Sequence, residues 1–296
     1  MIGNISKKFL DVLSKIKTVY FHGGCPDGIG ARQILREYFA DSVTYIPFYF
    51  QEMNEIPKNS LFIDCSPKNL RMVLEGGGII MEHHDSRKEE LVALLKEFPD
   101  QIVFGEGSES GAYLAYCAVN RHIDISYCEE IVYLLAISDT WQKEDPLFDY
   151  ARMVAGYVVF FGNDFNLSLY QLKGMEDTIR AHGLVQQRKQ AQFAKDALKL
   201  PKLKVAFIND MNMSGAAEIL RNDGFRIIVG FSLREDKGAP TVFYSLRSDA
   251  TFDSGSFCKA NGGGGHKAAA GFSVPYAVGI DPIGKFLDIL DKSPLK

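Results

Sequence analysis

Short apolar runs alternate with amphipathic segments along the first half of the chain. The apolar runs predict strands at Thr18–Phe21, Val43–Phe48, Leu61–Asp64, Gly78–Glu82 and Ile102–Phe104. Apolar residues at helical spacing predict helices at Ile5–Ile16, Gly28–Phe39, Asn69–Glu75 and Lys88–Glu97. Strand–helix alternation of this kind predicts an α/β fold, a parallel sheet with helices on both faces. Two further helices, Ser110–Val119 and Ile131–Ile137, are expected to pack on it.

The second half of the chain begins with a long helical pattern and ends with a new set of strands. Residues 164–200 are predicted to be largely helical, polar and basic near their end, with Pro201 as the break. Strands are predicted at Val205–Asn209, Arg226–Ser232 and Thr241–Leu246, and helices at Ala216–Arg221, Ser254–Ala260 and Pro282–Leu290. We therefore expect a catalytic domain at 1–185, a helical connector at 186–202 and a smaller α/β substrate-binding domain at 203–296.

Composition limits the partners of the chain. Its 296 residues carry a formal charge of −4 and a pI near 5.9, which argues against binding long duplex nucleic acid but not short nucleotides. Five cysteines without framework spacing predict free thiols in a reducing compartment. The N-terminus does not resemble a signal peptide, and no apolar run approaches the roughly 18–20 residues that span a membrane. We expect a cytoplasmic protein without a membrane partner. Its oligomeric state stays open, with a homodimer among the options.

The segment His22–Asp27 (HGGCPD) places three polar side chains at a predicted strand-to-helix turn. They are His22, Cys25 and Asp27. Ligands of parallel sheets bind beyond the carboxyl ends of the strands, so this position suits a metal. The alternative is that Asp27 only caps the following helix.

Asp64 ends the predicted strand Leu61–Asp64. An aspartate at the end of a buried strand is costly to desolvate unless it meets a cation or hydrogen-bond donors. Asp64 is therefore a candidate ligand. The alternative is that Asp64 or Ser66 caps a helix starting near Pro67.

The segment Glu82–Ser86 (EHHDS) follows another buried strand. Because His83 and His84 are adjacent, they point in different directions, so one can bind a metal while the other contacts a phosphate or a leaving group. Glu82 can orient a histidine rather than bind the metal. A structural pair of histidines is the alternative.

Asp139 follows a predicted apolar helix, and on its own it is typical of a helix C-terminal turn. The assignment of Asp139 as a metal ligand depends on the other polar groups described above. Imidazole nitrogen and carboxylate oxygen suit Mn²⁺ better than structural zinc, with Mg²⁺ or Co²⁺ as substitutes. Two such ions about 3.5–4 Å apart can share a water and lower its pKa. Asp64 is the natural bridge, because each of its oxygens can go to one ion.

The glycine-rich segment NGGGGHKAAAGF predicts a phosphate site. Its four glycines offer backbone N–H groups to an anion, His266 and Lys267 add donors, and a helix-prone AAA follows. Arg247, in Ser245–Arg247 (SLR), can form a bidentate hydrogen bond with the same phosphate. A flexible linker and a surface arginine are the alternatives.

Taken in order from His22 to His266, these motifs resemble the DHH phosphoesterase family with its DHH-associated C-terminal domain. GGGGH followed by AAAGF, with SLRS before it, is the most specific part. The segment SGAYLAY (Ser110–Tyr116) and the triplet Asp139-Thr-Trp also look like that family. An oligoribonuclease-like branch carries the form HxxCPDG, as this chain does.

The resemblance implies a Mn²⁺-dependent hydrolase of phosphodiesters or phosphoanhydrides, with one or two ions bound. By motif, the metal ligands would be His22, Asp27, Asp64, His83 and Asp139, with Cys25 as a further candidate. Asp64, His83 and His84 would act in catalysis, with His84 near the substrate. The nucleotide phosphate would be held by Ser245, Arg247, Gly262, Gly263, Gly264, Gly265 and His266.

Two positions depart from the family pattern. Cys25 stands where the first motif usually has an aspartate, and a softer thiol shifts metal preference. Glu82 stands where the family has its name-giving aspartate. The expected function is hydrolysis of short oligonucleotides or nucleotide phosphates. An inorganic pyrophosphatase or exopolyphosphatase, and a catalytically impaired nucleotide-binding protein, are the alternatives.

Overall fold

The computed structural model describes residues 5–40, 42–49, 53–209, 213–236 and 238–294, with the side chain of residue 236 excepted. The chain divides into two compact units, Met1–Gly183 and Leu184–Lys296, which we call the N-terminal and the C-terminal unit. Among the described residues, no helix combines the length and the apolar character needed to cross a bilayer. All five cysteines are free thiols, as expected.

The N-terminal unit is built on a five-stranded parallel sheet, which confirms the predicted sheet type. Its strands are β1 (Thr18–His22), β2 (Thr44–Phe48), β3 (Ser60–Ile63), β4 (Ile79–Glu82) and β5 (Ile102–Phe104). The order across the sheet is β2-β1-β3-β4-β5, and every neighbouring pair is parallel. The chain reverses direction across the sheet between β1 and β3, so ligands are expected beyond the carboxyl ends of these two strands.

Helices cover both faces of this sheet, because alternate strand residues enter two separate cores. The helices of the unit are α1 (Lys7–Leu13), α2 (Pro26–Phe39), α3 (Leu70–Glu75), α4 (Asp85–Leu95), α5 (Gly111–Val119), α6 (Glu129–Asp139), α7 (Phe148–Phe161), α8 (Leu169–Lys173) and α9 (Glu176–Asp196). Val19 and Phe21 pack with residues of α1, α2, α5 and α6, whereas Tyr20 packs with residues of α3 and α4. Short 3₁₀ helices lie at Ser126–Cys128 and Gly162–Asp164. The helix α9 contains the boundary between the units.

The C-terminal unit contains the end of α9, and its other described residues form a six-stranded mixed sheet with three further helices. Its elements are β6 (Leu198–Leu200), β7 (Val205–Ile208), α10 (Ser214–Asn222), β8 (Ile227–Asp236), β9 (Ala239–Ser248), α11 (Ser254–Ala260), β10 (Gly264–His266), β11 (Ala269–Pro275) and α12 (Pro282–Asp291). The strand order is β10-β11-β9-β8-β7-β6. Strands β7 and β8 pair in parallel, and the other neighbours pair antiparallel.

Two local predictions are wrong in this unit. The helix expected to continue to Leu200 ends at Asp196, and residues 198–200 form β6 at the edge of the sheet. The helix-prone AAA at residues 268–270 forms no helix: its last two alanines begin β11, with Ala269 opposite Arg247 of β9. In both places an available strand edge supplies backbone partners, and tertiary pairing overrides local helix propensity.

Candidate metal centre

Three neighbouring strands of the parallel sheet end in polar side chains. His22 is the last residue of β1, Asp64 directly follows β3, and His83 directly follows β4. Because β1, β3 and β4 are adjacent and parallel, their carboxyl ends meet at one edge. The structure thus brings together three of the residues that the sequence singled out.

Asp64 is the centre of this cluster. Its side chain is buried, with Oδ1 2.9 Å from Nε2 of His83 and Oδ2 3.3 Å from Nδ1 of His22. Its backbone adopts the left-handed conformation (φ 58°), which aspartate tolerates better than most residues. Burial raises the pKa of Asp64, but hydrogen bonds to His22 and His83 outweigh it, so the net pKa lies below its ordinary value. Asp64 is therefore an anion between two imidazoles, and helix α3 is capped instead by Asn69.

Asp27 lies in the first turn of α2, and its carboxylate is directed at a different helix. It accepts hydrogen bonds from the Ser110 hydroxyl (2.6 Å) and from the amides of Gly111 (2.6 Å) and Ala112 (3.0 Å), at the start of α5. The suggestion that Asp27 caps its own helix is wrong, because Cys25 occupies the N-cap position of α2. Burial, together with the charge of Asp64, raises the pKa of Asp27 to about 6.

Asp139 is the last residue of α6. Its Oδ2 lies 3.5 Å from Nε2 of His83, which is also 3.8 Å from Oδ2 of Asp27. Burial and the charges of Asp27 and Asp64 raise the pKa of Asp139 well above its ordinary value. A carboxylate at a helix C-terminus also opposes the helix dipole. This position is unfavourable for a structural aspartate, and a bound cation would relieve it.

Glu82, the last residue of β4, holds the adjacent histidine pair. Its Oε1 accepts from the His83 amide (2.9 Å) and lies 2.6 Å from Nδ1 of His84, while its Oε2 accepts from the Ser66 hydroxyl (3.1 Å). Burial raises the pKa of Glu82, but the bond to His84 outweighs it and the net pKa is lowered. Burial in turn lowers the pKa of His84, and the bond to Glu82 raises it to about 9. Glu82 is thus placed to orient His84, one of the two roles left open by the sequence.

Cys25 lies with His22 and Asp64 in one group of possible ligands. Burial, with the charges of Asp64 and Asp139, raises its pKa well above the ordinary value. The thiol is therefore neutral at physiological pH unless a cation displaces its proton. The turn around it is tight, because a Cβ added at Gly28 would lie 2.5 Å from the carbonyl oxygen of His22.

The donor set fits a divalent metal. His22, Cys25 and Asp64 form one group of converging ligand atoms, and Asp27, His83 and Asp139 form a second. A third group joins Asp64, Glu82, His83 and His84. Asp64 directs one oxygen toward each of the first two groups, as a bridging carboxylate would. Carboxylate oxygens and imidazole nitrogens suit Mn²⁺, Co²⁺ or Mg²⁺, and a cation would offset the repulsion among the three aspartates.

Ser110 and Gly111 belong to this site, although no motif in the sequence assigned them a role in it. Ser110 is the N-cap of α5 and donates its hydroxyl to Asp27. A Cβ added at Gly111 would lie 2.5 Å from Cβ of Asp64 and 2.8 Å from Oδ2 of Asp27. Glycine is therefore required where α5 approaches both carboxylates. The segment SGAYLAY was the available signal, but its contact with Asp27 joins segments that are far apart in the sequence.

The candidate phosphate groups all lie in the C-terminal unit. Arg247 on β9 donates to the Ser245 hydroxyl (3.1 Å) and to the Ser214 hydroxyl (3.3 and 3.4 Å). Burial lowers the pKa of Arg247. Arg247 is half-buried and hydrogen-bonded to two serines, which argues against the alternative that it is an ordinary surface arginine. Such fixed geometry suits recognition of an anion.

The glycine run is a hairpin rather than the start of a helix. The amides of Gly262 and Gly263 donate to the carbonyls of Lys259 and Cys258 and close the end of α11. The strand β10 consists of Gly264, Gly265 and His266 and pairs with β11. The side of the hairpin from residue 262 to residue 266 is exposed throughout. The expectation that all four glycine amides are open to an anion is therefore wrong for Gly262 and Gly263.

Three solved structures share the fold of this chain at low sequence identity. The DHH domain of a protein assigned to a family of ribosomal proteins matches with a TM-score of 0.54 at 15% identity, over 98% of this chain and 89% of that one. The exonuclease RecJ bound to manganese matches with a TM-score of 0.51 at 15% identity, over 98% and 96%. RecJ from Thermus thermophilus in complex with Mn²⁺ matches with a TM-score of 0.50 at 16% identity, over 96% and 54%.

Sequence comparison adds no relative, because neither a protein-family model nor a curated protein matches the chain. At the identities above, structural likeness establishes a shared fold. The resemblance inferred from the motifs is confirmed at that level: this chain has the fold of the DHH-domain proteins.

Proposed function

We propose that the chain is a Mn²⁺-dependent phosphoesterase that hydrolyses short oligonucleotides or nucleotide phosphates. The observation that carries this proposal is the placement of Asp64 between two groups of metal-ligand side chains, with one oxygen toward each. The shared fold supports it, since RecJ is named an exonuclease and was crystallised with manganese. The acidic chain favours short substrates over long duplexes.

His22, Cys25 and Asp64 would hold one ion, and Asp27, His83 and Asp139 the other, with Asp64 shared between them. Divalent ions at these groups would supply an activated water and neutralise charge on the phosphoryl oxygens. The chain's own residues supply positioning. Asp27 fixes the start of α5 against the cluster, and Asp64 fixes the ring of His83.

We assign His84 to the substrate. Glu82 binds Nδ1 of His84, which sets the orientation of the ring and favours the protonated form of the imidazole. A protonated imidazole can donate a hydrogen bond to a phosphoryl oxygen or a proton to the departing alkoxide. In the C-terminal unit, Arg247, fixed by Ser245 and Ser214, would bind a terminal phosphate of the substrate.

A substrate panel after chelation tests this proposal. The protein is stripped with a chelator and resupplied with Mn²⁺, Mg²⁺ or Co²⁺. It is then given pApA, pGpG, 3′-phosphoadenosine-5′-phosphate, cyclic dinucleotides or pyrophosphate, with products separated by chromatography. We expect turnover of a short nucleotide that chelation abolishes and Mn²⁺ restores best. Preference for pyrophosphate would instead support the pyrophosphatase alternative.

Asp64→Asn is the matched variant for this assay, because it keeps the size of the side chain and removes its charge. The control is Asp85→Asn, which changes an exposed aspartate in the first turn of α4. We expect Asp64→Asn to lose at least about 10²-fold in kcat and Asp85→Asn to match the parent protein. Full activity in Asp64→Asn would remove the basis of the proposal.

A second candidate, nucleotide binding without hydrolysis, draws on Cys25. Its raised pKa means that the first ligand group offers a neutral thiol where an anionic ligand would bind metal better. Calorimetry that detects nucleotide binding, together with no product under any of the three metals, would favour this candidate. Metal-dependent product formation would exclude it.

A further inference from the structure

Trp141 is the single tryptophan of the chain, and its position is unusual for so large an apolar residue. Its side chain is 40% exposed. It lies two residues after Asp139, a member of the second ligand group. Trp141 is therefore close in the chain to a candidate metal ligand, and it is partly exposed to solvent.

The backbone of Trp141 is also strained. It follows the C-cap of α6 with φ at 57°, and the next amide, that of Gln142, donates to the carbonyl of Ile137 (3.0 Å). This is the Schellman pattern, in which the left-handed position is normally glycine. A bulky residue at that position is unfavourable unless its side chain contributes something in return.

The surroundings of the ring fix it and add positive charge. Phe148 contacts it edge to face, with 5.3 Å between the ring centroids. The guanidinium of Arg152 lies 5.2 Å from the centre of the Trp141 ring, and the ammonium of Lys143 lies 5.3 Å from it.

We propose that Trp141 is the platform on which a nucleobase of the substrate stacks, and that Arg152 and Lys143 bind a phosphate next to that base. This inference rests on the proposed function and adds a base-binding subsite in the N-terminal unit. Proteins hold single-stranded nucleotides with aromatic rings that stack on the bases and with cations close by. Here the exposed part of the Trp141 ring would take the base, and the two cations that lie over the ring would turn to the phosphate. A subsite of this kind at Trp141 would make the enzyme selective for nucleotides over phosphates that lack a base.

Because Trp141 is the single tryptophan, the intrinsic tryptophan fluorescence of the protein reports directly on stacking at this residue. With divalent metal present, the protein is titrated with pApA while its fluorescence is excited at the red edge of indole absorption, where adenine does not absorb. Stacking predicts saturable quenching by pApA. Because AMP also carries the base, hydrolysis during the titration does not remove the signal. Pyrophosphate and ribose 5-phosphate, which lack a base, should leave the fluorescence unchanged.

Substitutions separate stacking from backbone strain. Trp141→Ala and Trp141→Gly both remove the ring, but only glycine suits the left-handed conformation. Both should raise KM for pApA by roughly 10- to 100-fold and change kcat by less than about threefold. Trp141→Phe keeps a flat ring and should retain most of the affinity. The inhibition constant of ribose 5-phosphate should be the same in all variants.

Tyr170→Ala is the control for loss of an exposed aromatic side chain, since Tyr170 is 68% exposed on α8. It should leave KM unchanged. Hydrolysis of pApA without quenching, or an unchanged KM in Trp141→Ala and Trp141→Gly, would overturn the stacking proposal while sparing the proposed function. Quenching by pApA with no hydrolysis under any metal would support stacking and refute the hydrolase assignment.

Discussion

Asp64 and His83 lie 2.9 Å apart, from Oδ1 to Nε2, and this pair connects the two groups of candidate ligands. Asp64 belongs to the group of His22, and His83 belongs to the group of Asp27 and Asp139. The strand order explains the contact, since β3 and β4 are neighbours and each residue directly follows its strand. One hydrogen bond thus links the parts of the proposed two-metal site.

Metal binding should release protons. Burial lowers the pKa of His83, but its bond to Asp64 and the charges of the aspartates raise it from 6.5 to about 10. At about pH 7.5 the metal-free protein therefore carries a proton on His83 that a metal must displace. Calorimetric Mn²⁺ titrations in buffers with different ionisation enthalpies should show at least about one proton released per protein. Binding enthalpies that do not depend on the buffer would contradict this.

The same proton should make the stability of the metal-free protein depend on pH. Because the folded pKa of His83 lies above its ordinary value, the stabilisation is complete below pH 6.5 and is lost as the pH rises toward 10. The melting temperature of the chelated protein should fall over that window, and His83→Gln should flatten the fall. An equally steep decline in His83→Gln would place the responsible group elsewhere.

Glu82→Gln tests the orientation of His84. The substitution keeps the shape of the side chain and removes the charge that raises the pKa of His84 to about 9. If protonated His84 serves the substrate, the alkaline limb of the kcat profile should move to lower pH, with kcat falling by about 10- to 100-fold at about pH 8. Mn²⁺ affinity should change far less than kcat.

Ser66→Ala is the graded control for that variant, since it removes only the 3.1 Å hydrogen bond to Oε2 of Glu82. It should give a smaller shift of the alkaline limb in the same direction. An unchanged pH profile in Glu82→Gln would show that Glu82 does not act through His84.

Gly111→Ala should damage the site without touching a ligand. The added Cβ would lie 2.5 Å from Cβ of Asp64 and 2.8 Å from Oδ2 of Asp27, so one or both carboxylates must move. We expect at least about a 10²-fold loss in kcat/KM, because small displacements of positioned groups are costly. Activity assays and Mn²⁺ calorimetry measure this together.

Gly156→Ala provides the matched control, because Gly156 lies inside α7 and an added Cβ meets no described atom within 4 Å beyond its own stretch of helix. Alanine there should stabilise the protein by roughly 0.5–1 kcal/mol and leave activity intact. If Gly111→Ala behaved like Gly156→Ala, the close approach of α5 to the carboxylates would not matter for function.

Arg247→Lys tests the proposed phosphate site of the C-terminal unit. Lysine keeps the charge but loses the planar fork that contacts Ser245 and Ser214. KM for pApA should rise by about 10-fold or more, with Mn²⁺ affinity unchanged. Arg234→Lys, at an exposed position on β8, should have no effect. A fall in kcat at constant KM would contradict a role in substrate binding.

The sequence predicted the parts of this site that follow from local pattern. His22, Asp64 and His83 come at the ends of apolar runs, and parallel strands place such ends at one edge. Asp139 could be proposed as a ligand only because the other candidate ligands occur in the same sequence. On its own, an aspartate after an apolar helix is ordinarily a turn residue. Its packing against His83 is a tertiary contact, which a one-dimensional pattern does not show.

The parts that the sequence missed depend on contacts between distant segments. The hydrogen bonds from Ser110 and Gly111 to Asp27 form only because α2 packs against α5. They are found in place of the expected capping of α2 by Asp27. The alanines after the glycine run have strong helix propensity, but Ala269 and Ala270 pair with the edge of β9 and begin β11. Local propensity was overridden where a strand edge or a neighbouring helix offered backbone partners.

The central claim is that the side chains around Asp64 bind divalent metal ions. Anomalous diffraction from crystals grown with Mn²⁺ tests it most directly. We predict anomalous peaks within coordination distance of Asp64, one toward His22 and one toward His83, Asp27 and Asp139. Manganese bound only elsewhere on the chain, with no peak beside the Asp64 carboxylate, would contradict the claim.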